Sequence, residues 1–121
     1  MAIGSRIEWI EHKGKPILVN DLTGLTDKEI AEQMIKYEKV VLDMKETHIH
    51  VLSDITNATF GPSSMSELKR IVISTKSYVS KYAIVGVIGI KSILFNAVKQ
   101  FAKKNLNSFN TIEEAKDWLI E

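Results

Sequence analysis

The sequence contains no cysteine. Disulfides, thiolate metal sites and thiol nucleophiles are excluded together, and the absence fits a reducing compartment. The chain also lacks an excess of either charge, with 16 basic residues against 15 acidic ones and a formal charge of +1. That balance gives no electrostatic reason to expect nucleic acid or an anionic membrane as partner. No apolar run approaches the ~20 residues of a membrane-spanning helix, and Met1 to Arg6 carry no signal-peptide core. A cytoplasmic location is expected, with no transmembrane segment. Neither Gly-x-Ser-x-Gly nor His-Glu-x-x-His occurs, nor the Gly-Lys-Ser/Thr end of a phosphate loop, so no cofactor is expected.

What is present is an ordinary globular composition, 45% hydrophobic and 26% charged over 121 residues. One domain spanning residues 1–121 is the expected organisation. Its centre is Tyr82 to Ile90, β-branched and apolar at both parities, which predicts a central strand covered on both faces. Beyond Gly89 the period lengthens: Ile90, Ile93, Leu94, Ala97, Val98, Phe101 and Ala102 form one stripe. Lys91, Lys99, Lys103 and Lys104 fall between them, as an amphipathic surface helix requires. Arg6 to Glu11 and Pro16 to Asn20 read as two strands, joined through His12-Lys13-Gly14-Lys15 as an antiparallel hairpin.

Three capping boxes announce helices: Thr26 with Glu29, Ser64 with Glu67, and Thr111 with Glu114. The first helix carries Ile30, Ala31, Met34, Ile35, Tyr37 and Val41 on its apolar side and ends near Val41 or Leu42. The second carries Met65, Leu68, Ile71, Val72, Thr75, Tyr78 and Val79, with Pro62 just ahead of its cap. A strand around Ile49 to Leu52 lies between them, and Asn105 to Phe109 suits a small edge strand. The fold class is therefore α/β, a mixed and largely parallel sheet with an N-terminal antiparallel hairpin and about four helices.

In such sheets ligands gather beyond the carboxyl ends of the strands. The segment after the middle strand offers Asp54, Thr56, Asn57, Thr59, Ser63 and Ser64, groups able to hold a phosphate or meet a partner. The same residue types cap helices and satisfy turns. Gly86 and Gly89 permit a close backbone approach, although a glycine needed for helix-to-strand packing explains Gly86 more simply. His48 and His50, two apart on an extended strand, face one way but have no third ligand, so no metal site is expected. His12 falls in the hairpin turn, where solvation suffices. The hairpin edge and Trp9 offer a surface for a homodimer, or Trp9 covers the core.

Three segments carry a family resemblance: His12-Lys13-Gly14-Lys15-Pro16-Ile17-Leu18 leading to Asp21-Leu22-Thr23-Gly24-Leu25, Tyr82 to Val87 with its helix, and Phe109-Asn110-Thr111-Ile112-Glu113-Glu114-Ala115-Lys116-Asp117-Trp118-Leu119. The chain resembles the SpoIIAA-like superfamily, which includes STAS domains and a CRAL-TRIO-like branch. The resemblance implies a β-α superhelix and a small bacterial protein. In the anti-sigma-factor antagonists of that group, a serine in an Asp-Ser-Ser-Gly segment is phosphorylated. Here Asp54-Ile55-Thr56-Asn57 stands in that place, putting Thr56 at the acceptor position but without the glycine. A non-catalytic binding or regulatory domain that meets a regulatory protein through this loop is the first expectation. A carrier of a small apolar, lipid-like ligand is the alternative, and an enzyme built on Asp54, His48 and His50 ranks last.

Overall fold

β1 (Ile7–His12) and β2 (Lys15–Asp21) pair antiparallel through a two-residue turn. Lys13 and Gly14 both take positive φ, 51° and 82°, the backbone that matches the twist of a tight hairpin. The connection is thus two residues shorter than the four polar residues suggest. Pro16 tolerates its place because the parallel ladder from β2 to β3 (Ile49–Asp54) begins only at Leu18. The computed structural model describes residues 6–89, 91–102 and 105–121; Ile90, Lys103, Lys104 and the side chains of Leu94, Phe101 and Ala102 lie outside that description.

The remaining elements are α1 (Asp27–Met44), α2 (Pro62–Thr75), β4 (Val79–Val85), α3 (Lys91–Ala102), β5 (Leu106–Phe109) and α4 (Ile112–Leu119). The five strands lie in the order β1-β2-β3-β4-β5, parallel after the first pair. β4 is internal, as expected of its apolar sequence, but β3 takes the middle. It also starts three residues earlier than the apolar run and stops at Val85. Gly86 and Gly89, with φ of 97° and 59°, bend the chain out of the sheet into a loop.

Side-chain alternation divides the core between the two faces of the sheet. Leu18 and Val51 pack with Ile30, Met34, Tyr37 and Ile71 of α1 and α2. Ile17, Leu52, Ala83 and Val85 pack under Ala115 and Leu119 of α4. The buried line of α1 runs through Ile30, Met34, Tyr37 and Val41, which leaves Ile35 47% exposed, one position off the stripe to which its hydropathy assigned it. Gln33 is buried instead, donating to Asn20 Oδ1 at 3.3 Å. Trp9 is partly buried against the core. No described helix is long and apolar enough to cross a membrane.

The helix starts explain the first-turn chemistry. At α1, Glu29 accepts from the Thr26 amide and hydroxyl, both at 3.0 Å. At α4, Thr111 accepts from the Glu114 amide at 3.1 Å. The middle box works differently: α2 begins at Pro62, after Gly61, and Ser64 lies inside the first turn. Its hydroxyl accepts from the Gly61 amide at 3.0 Å. The anion at this helix start comes from α1, whose Asp27 carboxylate accepts from the amides of Ser63 and Ser64 at 3.1 and 2.7 Å.

These bonds, led by the Ser64 hydroxyl and amide, hold the Asp27 carboxyl below its ordinary value of 3.8. A group depressed in the folded state stabilises above its unfolded pKa and loses that contribution as pH falls. Asp27→Asn should therefore lower the thermal midpoint at neutral pH. The difference from wild type should shrink as pH drops below 3.8. Melting curves across that range check it; a pH-independent gap would mean that Asp27 acts through shape rather than charge.

Candidate functional site

The carboxyl ends of β3 and β4 meet at one rim. The Ile55 amide donates to the Val85 carbonyl at 2.8 Å, and the Gly24 amide to the Thr56 carbonyl at 3.0 Å. Asp54 closes the turn on itself, accepting from the Thr56 amide at 3.0 Å and its hydroxyl at 2.6 Å. Asn57 takes a left-handed φ of 61°, a conformation asparagine tolerates better than most residues. Gly86 is required here by a close approach to this turn: a Cβ on it would stand 2.7 Å from the Thr56 amide nitrogen. Helix packing is not its role. Gly89 faces open space.

The hydroxyl-bearing loop is therefore split. Thr56, Asn57, Thr59 and Ser63 are exposed. Ser64 is fully buried and belongs to the helix cap, out of reach of a partner. Thr59 and Ser63 also anchor the loop through their amides, to Leu25 and Asp27.

Behind this rim lies a cavity of about 530 Å³ between the sheet and the helices. Its walls come from α2 (Leu68, Ile71, Val72), β4 (Val79, Ile84) and α3 (Val98). Ile55 and Phe60 bring the loop to its border. Its described polar lining includes several hydroxyls, among them those of Ser53, Tyr37 and Tyr82. Tyr82 and Ser53 share a hydrogen bond of 2.7 Å, and the Tyr37 ring meets Tyr82 edge-on at 6.2 Å. Burial raises the Tyr82 phenol to about 12 and the Tyr37 phenol well above its ordinary range, so both stay protonated. Thr75, whose own proton goes to the Ile71 carbonyl at 2.7 Å, opposes the Tyr37 shift. Tyr37 Oη has no hydrogen-bond partner among the described residues. At the mouth, the Lys91 ammonium donates to the Ile55 carbonyl at 3.0 Å.

Other candidates do not assemble. His48 has φ of 65°, so it precedes the strand in a left-handed turn and does not share an extended face with His50. Burial first, then the charges of Lys81, His48 and Lys15, holds the His50 imidazole below its ordinary value. Asp54 and His50 sit near opposite ends of β3, about 13 Å apart at the rise of an extended chain. Ser66 and Lys69, at Ser-x-x-Lys spacing, are exposed on α2 and do not line the cavity. His12 is engaged: its Nε2 lies 2.8 Å from Asp117 Oδ1, which also accepts from Lys13 at 3.1 Å. Glu113 stands nearby, with the ligand-type atoms of all three residues within 4.8 Å of one another. The His12 and Lys13 contacts tie the hairpin to α4.

Sequence reasoning missed the cavity. The clue was the number of apolar residues facing α1, α2 and α3 from β4, where Ala83 and Val85 serve the opposite face. A second clue was Phe60, a large side chain in an otherwise polar loop.

No family model matches the chain, and no curated protein matches it. Among solved structures it is similar to an uncharacterized protein of the DUF3478 family with a SpoIIAA-like fold from Shewanella loihica PV-4. The TM-score is 0.72 at 17% identity, over 93% of this chain and 91% of that one. The chain therefore has a SpoIIAA-like fold, as its three resembling segments implied.

Proposed function

We propose that this protein is a non-catalytic binding domain whose ligand is a small, mainly apolar molecule, held in the cavity with the Asp54–Ser64 loop as its rim. The observation that carries this reading is the cavity itself, about 530 Å³. Small-ligand pockets span roughly 300–1,000 Å³ and combine apolar walls with a few polar groups. This reading puts the ligand in the cavity and not on the loop surface, because the loop's best-placed polar groups are already used. Asp54 is bonded to Thr56, and Ser64 is buried. What the loop contributes to the cavity is apolar, Ile55 and Phe60.

A neutral fluorophore such as diphenylhexatriene should gain emission with the wild-type protein. Ile84→Trp, which places an indole in the cavity from β4, should abolish the gain while leaving the circular dichroism spectrum unchanged. No gain with wild type, or an equal gain with the filled variant, would overturn the reading.

A further inference from the structure

The cavity's charges are one-sided. Its described lining residues include Lys76 and Lys91 and no aspartate or glutamate, although the chain as a whole balances its charges. Lys76 is exposed at the end of α2. Lys91 is different. It opens α3, is partly buried, and turns its ammonium toward the rim, where it donates to the Ile55 carbonyl at 3.0 Å. Among the described residues that neutral oxygen is its one hydrogen-bond partner, and no carboxylate pairs with it. An ammonium has three donors, and two remain without a partner among the described residues.

Around Tyr82 the cavity lining carries hydroxyls and no charge among the described residues. There the polar atoms are the Tyr82 and Ser53 hydroxyls, bonded to each other at 2.7 Å, and the Tyr37 hydroxyl beside them. An anion therefore has two described lining cations to meet, Lys91 beside the Ile55 carbonyl and Lys76 at the end of α2. Lys91 is the better placed of the two, because it is partly buried and held at the Ile55 rim while Lys76 is exposed, so an amphiphile with its anion there lays its apolar chain inward.

We propose that the cavity takes a single-chain carboxylate, a fatty-acid anion, with its chain against Ile71, Val72 and Ile84 and its headgroup on the Lys91 ammonium at the Ile55 rim. The assignment rests on the cavity being the ligand site. The Lys91 side chain then holds the headgroup and the loop together, since its ammonium bridges the Ile55 carbonyl and the carboxylate.

Competition for bound diphenylhexatriene at neutral pH, with dodecanoate and 1-dodecanol as competitors, tests this. Wild type should prefer the acid by about tenfold, the scale of a charge-assisted hydrogen bond at a partly hydrated site. Lys91→Gln keeps a donor for the Ile55 carbonyl but removes the charge. It should bind acid and alcohol alike, losing the preference for the acid. Lys76→Gln should retain that preference. Equal displacement by acid and alcohol in wild type, a preference that survives Lys91→Gln, or one that disappears in Lys76→Gln instead would overturn the assignment. In each of those cases fluorophore uptake is intact, so the reading of the cavity as a binding site stands. Absence of uptake in wild type removes both.

Discussion

Gly86→Ala should destabilise the protein by about 3 kcal/mol, although it adds a single methyl group. Two costs combine. The residue has φ of 97°, where an L side chain is strained by roughly 1–2 kcal/mol. The new Cβ would also stand 2.7 Å from the Thr56 nitrogen, 2.8 Å from its hydroxyl oxygen and 3.0 Å from its Cα. Two of these atoms are backbone, so the strain cannot be relieved by a rotamer. The Asp54 turn would have to move, together with the Ile55 amide bonded to Val85. For a chain of this size the thermal midpoint should fall by about 10 °C. Gly89→Ala is the matched control. Its φ of 59° is also positive but nothing lies within 4 Å of the added carbon, so it should cost only about 1 kcal/mol. Urea unfolding of the two variants separates conformational strain from contact. Similar costs for both would show that the two rim segments are not tightly packed. A shifted Asp54 turn should also weaken ligand uptake, because Ile55 supplies both a wall of the cavity and the carbonyl that Lys91 meets.

How far the sequence reaches follows from the range of the forces involved. The hairpin, the helix starts at Thr26 and Thr111, and the internal β4 are set by neighbours within a few residues, and periodicity or capping chemistry displays them. The features that eluded it depend on groups far apart in the chain. Asp27 caps α2 from 36 and 37 residues away, so the local serine box at Ser64 pointed to a helix start that is really at Pro62. Ile35 and Gln33 exchange places because the seam of α1 is chosen by the sheet and α2, while hydropathy alone prefers the isoleucine inside. Gly86 reads as a packing glycine until Thr56, thirty residues earlier, is placed against it. His12 reads as solvated until α4 brings Asp117 to 2.8 Å. The rim at Asp54 was legible because the carboxyl ends of parallel strands converge by topology alone. The cavity behind it was not, because its volume is a remainder: it depends on how α1, α2 and α3 together fall short of filling one face of the sheet.

That remainder also governs the second large effect, at Tyr37. The residue is fully buried, and its ring packs edge-on against Tyr82, while its hydroxyl has no hydrogen-bond partner among the described residues. Truncation and deletion of the hydroxyl should therefore act in opposite directions. Tyr37→Ala removes a buried aromatic ring and should cost about 3–5 kcal/mol. Tyr37→Phe keeps the ring and removes an uncompensated polar atom, and should stabilise by about 1 kcal/mol. The same deletion one ring away should have the reverse sign. Tyr82→Phe leaves the Ser53 hydroxyl, 1% exposed, without its 2.7 Å partner, and should cost about 1–2 kcal/mol. Chemical denaturation of the three variants reads these signs directly. A Tyr37→Phe variant less stable than wild type would mean that the hydroxyl is bonded after all, to Thr75 or to a bound molecule, and the floor of the cavity would then be polar. With the expected signs, Tyr37→Phe should also leave dodecanoate displacement unchanged. An anion held at Lys91 has no contact with the far end of the cavity, so stability and headgroup recognition are set by different ends of the same space.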